Sequence, residues 1–252
     1  MDWSPAYRQH VIEAPTSRFA VAVDVTASGS KTYLSFPSYD ALLEWYAAQQ
    51  ALRCVNEVLR ECAPMCVAFD LEFDEEDARH GHVQWLMSVD MRRPDETFLR
   101  PMLRRIRAAF PELRGSPELV STSHRQDRMS YHVKFPAWTL PTYESRQSFK
   151  RALAARCGDL APCLDDTAYS RNRVMRMLYS CKFGEPERPL VPHERTVAFD
   201  IDAVRAHSWS FIPANAKPLT IRLYDSDYDS DTSDGDGAVQ TGVKRHRRRG
   251  GR

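Results

Sequence analysis

The stretch "VAFDLEFDEED", residues Val67 to Asp77, decides the fold prediction because it joins an apolar run to six acidic residues in eleven positions. Successive side chains of a β-strand point to opposite faces of the sheet. The alternation therefore predicts one apolar face and one acidic face. The apolar face consists of Phe69, Leu71 and Phe73, and the acidic face of Asp70, Glu72 and Asp74.

Carboxylates that share a strand face can bind divalent cations. Same-face neighbours lie about 7 Å apart along a strand, a separation that metal ions between two carboxylates can bridge. Oxygen ligands suit Mg²⁺ or Mn²⁺ better than zinc. Taken alone, the pattern is more typical of an edge strand with a solvated acidic face. The trailing Glu75, Glu76 and Asp77 fit that solvated interpretation best.

The composition describes an ordinary globular chain. Its 252 residues, 42% of them hydrophobic, suffice for one large domain or two small ones. Lys plus Arg (35) nearly balances Asp plus Glu (34), so net charge does not indicate a partner. The N-terminal segment lacks the apolar region of a signal peptide, and no apolar run approaches the ~18 residues of a membrane span. We expect a protein without membrane association, in a reducing intracellular setting.

The cysteines give little support to a structural zinc site. The six cysteines form no CxxC pair. Cys62, Cys66, His80 and His82 resemble a Cys2His2 set, but His-x-His is not the usual spacing and the acidic strand lies between the pairs. We therefore expect no structural zinc.

Hydrophobic periodicity predicts alternating strands and helices, that is, an α+β protein. Strands are predicted at Arg18–Val25, Lys31–Phe36, His82–Met91, Glu118–His124 and Met129–Pro136, and in the second half of Arg173–Phe183. Helices are predicted from an N-cap at Ser38 to the region before Pro64, at Asp95–Phe110 and at Tyr143–Cys157. Short strands and loops are predicted from there to Leu223.

The C-terminal segment differs in composition from the rest. "YDSDYDSDTSDGDG" from Tyr224 is acidic and of low complexity, and the basic "KRHRRRGGR" ends the chain. Such segments cannot bury enough apolar surface to fold alone. We predict a folded domain over residues 1–223 and a disordered tail over 224–252. The tail fits either a partner-binding segment with a nuclear localisation signal or a solvated extension.

Two further segments carry groups suited to phosphate. In "RMSYHVKF", strand alternation puts Ser130 and His132 on one face, with Arg128 on the same side. In "CLDDTAYSRNRVMRMLYSCKFG", an acidic pair precedes a dense basic run that could bind a triphosphate or a nucleic-acid backbone. That run contains Arg171, Arg173, Arg176 and Lys182. Considered separately, both segments are more typical of a solvated surface.

Taken in order, the three segments resemble the archaeo-eukaryotic primase superfamily, and within it the PrimPol and herpesvirus primase-subunit branch. That family has DxD or DxE on a strand, then SxH, then an acidic residue after an apolar one; this chain shows "FDLEFD", "SYH" and "LDDTAYSRNR". The resemblance covers about residues 18–223. It implies an RRM-like antiparallel sheet packed with helices, preceded by an N-terminal α/β module.

The resemblance also implies roles for individual residues. The metal-binding and catalytic carboxylates would be Asp70, Glu72 and Asp165, and they would hold two Mg²⁺ or Mn²⁺ ions. The nucleotide-binding residues would be Ser130, His132, Lys182, Arg176, Arg173, Arg128 and Lys31. Asp166 adjoins Asp165 and Asp74 follows the first motif, so each is an alternative ligand.

The implied function is that of a DNA primase or DNA polymerase catalytic subunit, transferring nucleotides on a single-stranded DNA template during replication. The substrates would be a primer and either NTPs or dNTPs. The protein would be located in the nucleus, which would be the host nucleus if the protein is viral. The family's C-terminal zinc module has no counterpart, since no cysteine follows Cys181. We expect a helicase, a large primase subunit or a single-strand DNA-binding protein as partner, bound through the acidic tail. The alternatives are a catalytically inactive nucleic-acid-binding replication subunit and a metal-dependent nuclease.

Overall fold

The protein is a mixed α+β structure, as predicted, and its two sheets are antiparallel apart from one short parallel pairing. The computed structural model describes residues 11, 19–49, 54–74, 84–125, 127–193 and 198–221. Its strands are β1 (Phe19–Asp24), β2 (Lys31–Phe36), β3 (Val55–Leu59), β4 (Met65–Asp74), β5 (Leu119–Thr122), β6 (Arg128–Leu140), β7 (Arg173–Arg176), β8 (Val191–Pro192) and β9 (Lys217–Pro218). Its helices are α1 (Tyr39–Ala47), α2 (Arg100–Ala109), α3 (Tyr143–Arg156) and α4 (Ile201–His207).

The predicted tail and two of the weighed zinc candidates, His80 and His82, lie outside the described residues. All six cysteines are described, and all are free thiols. None of the helices in the described part is long and apolar enough to cross a membrane.

The first sheet has the strand order β2-β1-β3-β7. The first two predicted strands form an antiparallel hairpin, in which β1 pairs with β2 from Phe19 opposite Phe36 to Asp24 opposite Lys31. Gly29 adopts a φ of +89° in the connecting turn, a conformation that glycine adopts without steric cost. Helix α1 begins where predicted, because the Ser38 hydroxyl accepts a hydrogen bond from the backbone N–H of Ala41 at 3.1 Å.

The prediction that this helix continues to the region before Pro64 is wrong. The helix ends at Ala47, and Val55–Leu59 forms β3 instead. Strand β3 pairs antiparallel with β1 and with β7, so its backbone is satisfied on both sides. The β-branched Val55 and Val58 suit a strand, and this tertiary pairing overrides the weak helical periodicity of the segment.

The second sheet has the order β4-β6-β5-β8, and β9 pairs parallel with β6. Strand β4 is the first strand in this order, and its predicted apolar face is fully buried. Phe69 meets Phe149 of α3 edge-on, with 5.6 Å between ring centroids, and Phe73 lies 5.5 Å from Phe98. Each such aromatic side chain contributes roughly 2–3 kcal/mol by leaving water. The apolar face of β4 therefore anchors the strand against the helices.

The other helix predictions agree with the structure. A π-helical turn, Asp95–Leu99, leads into α2, which buries Met102, Leu103 and Ile106 and turns its arginines outward. Helix α3 begins at a capping box formed by Thr142 and Ser145. These helices cover one side of the second sheet.

Two strand predictions are wrong and one helix was missed. The segment predicted as a strand from His82 to Met91 forms a 3₁₀ turn at Gln84–Ser88. In the basic run, the first half forms the strand, β7, whereas the second half is a turn in which Tyr179 has a φ of +64°. Helix α4 was not predicted, although Asp200 caps its N-terminus.

Candidate active site

The three sequence motifs meet at Asp70. Strand β4 carries the first motif and lies beside β6, which carries the second, with Asp70 directly opposite His132. The third motif contacts β4 on the other side. There the backbone N–H of Asp165 donates to the carbonyl oxygen of Asp70 at 2.9 Å, next to a bridge between Leu71 and Leu164. The first motif therefore lies between the other two in space, although not in sequence.

The acidic face of β4 and the polar face of β6 form one surface. Asp70 is paired with His132, Glu72 with Ser130 and Asp74 with Arg128. Directly opposite residues of antiparallel strands point to the same side of the sheet. The Nε2 atom of His132 lies 3.6 Å from Oδ1 of Asp70. The surface that the alternation predicted is thus formed by two adjacent strands.

Asp70 is the most strongly perturbed carboxylate of this surface. Burial, followed by the charges of Glu72 and Asp165, raises its pKa to about 8, and Arg176 and Arg173 oppose the shift. Its Oδ1 atom is buried and has no hydrogen-bond partner among the described residues. An unsatisfied buried carboxylate is costly unless another group compensates for it.

The other two carboxylates are held by arginines. Glu72 forms an ion pair with Arg128, and Asp165 lies 3.2 Å from Nη2 of Arg173. Asp165 also accepts from the backbone N–H of Thr167 at 3.0 Å, an Asx turn that fixes its direction. These contacts hold each carboxylate near Asp70.

The alternative ligand Asp166 is oriented differently from Asp165. Its Oδ2 atom lies 3.2 Å from Nζ of Lys150 on α3, and half of its side chain is exposed. Asp165, not Asp166, belongs to the set of charges that raise the pKa of Asp70. Asp74 lies at the end of β4, opposite Arg128.

Basic side chains converge on the same surface from β7 and the turn after it. Arg176 donates from Nη1 to the Ser123 hydroxyl at 2.8 Å. Burial, then Arg176 and then Lys182, lower the pKa of His132 to about 3, so its ring is neutral at physiological pH. Burial and the charges of Arg176 and Arg128 also lower the pKa of Lys182. The positive groups are therefore close enough to act on one another.

The structure brings together all the predicted site residues except one. Lys31 forms an ion pair with Asp24 across β1 and β2, in the strand of the first sheet farthest from β7. The other nucleotide-binding candidates, Ser130 included, lie on β6, on β7 or in the segment that follows β7.

Sequence reasoning missed several residues that support the site. Glu57 of β3 is buried and accepts hydrogen bonds from the Ser208 hydroxyl at 2.7 Å and from the N–H groups of Trp209 and Ser210 at 2.8 Å each. The Trp209 ring lies 5.5 Å from that of His132. The signal for Glu57 was an isolated acid among valines, which the helical interpretation of this segment hid.

The charges of Glu72 and Asp165 act on Asp70, and carboxylate oxygens are the kind of ligand that divalent cations prefer. Among the described residues, no group of three or more His, Cys, Asp and Glu side chains is arranged as a metal cluster. Glu72 and Asp165 are each paired with an arginine instead. The unsatisfied Oδ1 of Asp70 and the mutual repulsion of the three carboxylates are what a cation would relieve.

No protein-family model matches the chain, and no curated protein matches it well enough to serve as a relative.

Proposed function

We propose that the protein is a metal-dependent nucleotidyltransferase of the archaeo-eukaryotic primase type, the catalytic subunit of a DNA primase or DNA polymerase. The observation that carries this proposal is the meeting of Asp70, Glu72 and Asp165 with the Ser130–His132 strand and with Arg176. A nuclease would need the carboxylates alone. The adjoining phosphate-binding groups favour a site that also holds a triphosphate.

The carboxylates would hold Mg²⁺ or Mn²⁺, which when bound would supply activation of a hydroxyl nucleophile and neutralisation of phosphate charge. Glu72 and Asp165 are each within reach of an arginine. In the working state, Arg128 and Arg173 would exchange these carboxylate contacts for phosphate oxygens. Guanidinium groups bind both kinds of oxyanion with the same geometry.

The remaining polar groups would bind and orient the nucleotide. A neutral His132 can donate one N–H to a phosphate oxygen, and the Ser130 hydroxyl opposite Glu72 can donate a second hydrogen bond. Arg176 and Lys182 are partly or largely removed from water, so their charges act on bound phosphates with little screening. These residues would hold the triphosphate in position beside the carboxylates.

The finer assignments belong to the same proposal. The second sheet with α2 and α3 would be the RRM-like core, and the first sheet with α1 the N-terminal α/β module. The template would be single-stranded DNA, the substrates NTPs or dNTPs, and the location the nucleus. A helicase, large primase subunit or single-strand DNA-binding protein would assist initiation.

The test is incorporation of labelled nucleotides on primed and unprimed single-stranded templates, with NTPs compared with dNTPs in Mg²⁺ and in Mn²⁺. We expect template-dependent products from the wild type and none from Asp70→Ala. Binding of the same templates is measured by fluorescence anisotropy. Binding without incorporation by the wild type would favour the inactive nucleic-acid-binding subunit, and incorporation by purified Asp70→Ala would overturn the assignment.

A further inference from the structure

An exposed aromatic ring adjoins the candidate active site. Phe183 directly follows Lys182, a proposed phosphate-binding residue, and is 43% exposed. Among the residues that the structure describes, no other ring or cationic group packs on the ring of Phe183. Phe199 is exposed to a similar extent, at 39%, but its ring packs against those of Tyr46 and Tyr179. Phe183 thus differs from Phe199 in having no aromatic partner within the described part of the chain.

A tight turn carries Phe183 at its tip. The backbone N–H of Glu185 donates to the carbonyl oxygen of Lys182 at 3.0 Å, so Phe183 and Gly184 are the two central residues of a β-turn. Gly184 has a φ of +80°, as the third residue of a type II turn requires. A Cβ atom added at Gly184 would meet no heavy atom within 4 Å apart from its chain neighbours. The tip of the turn therefore borders open space.

Ion pairs and hydrogen bonds hold this turn against the segment that follows β5. The Glu185 carboxylate lies 2.9 Å from Nη2 of Arg125 and also forms an ion pair with Arg188. Arg188 in turn donates to the carbonyl oxygens of Ser123 at 3.1 Å and of His124 at 3.3 Å. A side chain on a turn that is already fixed loses little further conformational freedom when a ligand binds to it.

The same turn begins at the basic edge of the candidate site. Lys182 lies close enough to Arg176 and Arg128 for their charges to act on it. A single exposed apolar side chain needs no special explanation on a protein surface. Here, however, the ring lies on an anchored turn and directly adjoins groups suited to phosphate. Aromatic side chains beside a basic groove are the usual means of binding single-stranded nucleic acid without sequence preference.

We propose that Phe183 binds a nucleobase by stacking, while Lys182 and its basic neighbours bind the phosphate groups of the same ligand. The ligand is a nucleotide unit, either the nucleotide that enters the site or one residue of a single-stranded template. Every base has a π-face, so the contact would tolerate any base. The inference rests on the proposed function, which gives Lys182 its phosphate-binding role.

The experiment compares ligands with and without a base. Isothermal titration calorimetry measures binding of dTTP, oligothymidylate, an abasic oligonucleotide of the same length and inorganic tripolyphosphate. Phe183→Ala should weaken binding of a base-containing ligand at least about fivefold and leave the two ligands without bases within about twofold of wild type. A loss for dTTP alone identifies the incoming nucleotide as the source of the base, and a loss for oligothymidylate alone identifies the template. Phe183→Trp should restore the affinity, because it restores a ring face.

Two further variants separate stacking from other effects. Lys182→Ala should weaken binding of all four ligands, since each carries phosphate groups. Val25→Ala removes a comparably exposed apolar side chain (47%) next to β1 and should bind all four as the wild type does. Thermal melts verify that each variant is folded.

Three results would overturn the inference. These are wild-type affinity of Phe183→Ala for both base-containing ligands, an equal loss for tripolyphosphate, and no binding of dTTP or oligothymidylate to the wild type. The second result would make Phe183 a support for the turn of Lys182 instead. Binding needs no turnover, so base-dependent losses in a protein that incorporates no nucleotides would refute the proposed function alone. Incorporation by the wild type, with unchanged binding in Phe183→Ala, would refute the inference alone.

Discussion

Replacing Asp70 by asparagine should stabilise the protein while removing the proposed activity. The carboxyl is buried, its Oδ1 has no partner among the described residues, and its pKa is raised from 3.8 to about 8. Asparagine keeps the shape of the side chain but carries no ionisable group. Folding of the variant therefore does not require burial of a group that is ionised in the unfolded chain at neutral pH. Its free energy of unfolding should be larger than that of the wild type.

The magnitude follows from the pKa. Between 3.8 and pH 7 the unfolded carboxyl loses its proton while the folded one keeps it. Each pH unit of that window costs at most about 1.4 kcal/mol of folding free energy, or about 4 kcal/mol in all. Relaxation and water entry around the carboxyl reduce the expected gain of Asp70→Asn to about 2–3 kcal/mol. That corresponds to roughly 5–10 °C in Tm for a domain of this size.

The assay is chemical denaturation of wild type and Asp70→Asn at pH 5, 6, 7 and 8 in the presence of a chelator. The advantage of the variant should grow as pH rises through this range, because the wild type binds more protons folded than unfolded. Asp166→Asn is the matched control, since its half-exposed ion pair with Lys150 should change stability by less than about 0.5 kcal/mol. A gain that does not depend on pH, or no gain at pH 8, would refute the reasoning.

Three further perturbations test other parts of the structure. His132→Gln should become more stable relative to the wild type as pH falls from 6.5 toward 3. The pKa of His132 is lowered to about 3 in the folded protein, so over this range the unfolded wild-type chain binds a proton that the folded protein does not. Denaturation at pH 5 and 7 measures this difference, and an equal difference at both pH values would contradict it. Lys134→Met should cost about 2 kcal/mol in a thermal melt, since Nζ donates to three backbone carbonyls around the C-terminal end of α4; an unchanged Tm would exclude this role. Cys54 and Cys181 have their sulfurs 3.6 Å apart, so a thiol oxidant such as diamide should join them in a disulfide that peptide mass spectrometry detects. No such peptide after full oxidation would contradict their placement.

The site was more predictable from sequence than the path of the chain around it. Strand alternation alone puts Asp70 and Glu72 on one face and Phe69 and Leu71 on the other, because the period of a strand is fixed by its geometry. The pairing of β4 with β6 is not local information. The resemblance implied that the motifs meet, and the register of Asp70 opposite His132 gives that meeting its geometry.

The errors arose where tertiary contacts override local preference. Val55–Leu59 has the spacing of a helix continuation, but pairing on both edges makes it a strand. In the basic run, the turn after β7 is held by the Tyr46 hydroxyl, which donates to the carbonyl oxygen of Leu178 at 2.7 Å. That contact joins residues 132 positions apart in sequence, so no local pattern contains it.

The link between Ser121 and His207 could not be predicted from sequence either. Ser121 reads as one more polar residue in a short strand, and α4 was not recognised as a helix. The sequence signal for α4 was Asp200 as an N-cap, followed by Ile201 and Val204 at helical spacing. His207 of α4 lies 2.7 Å from the Ser121 hydroxyl oxygen, a contact that depends on how α4 lies against β5.

The most direct test of the account compares Asp165→Asn with Asp166→Asn in a primer-extension assay containing Mn²⁺ and a labelled nucleotide. The two carboxyls are adjacent in sequence. However, Asp165 is among the charges that raise the pKa of Asp70, whereas Asp166 pairs with Lys150. The account predicts that Asp165→Asn loses extension by at least about a hundredfold, the scale of removing a charge-stabilising group from a catalytic site, while Asp166→Asn stays within about twofold of wild type. Equal activity of the two variants, or greater loss in Asp166→Asn, would contradict it.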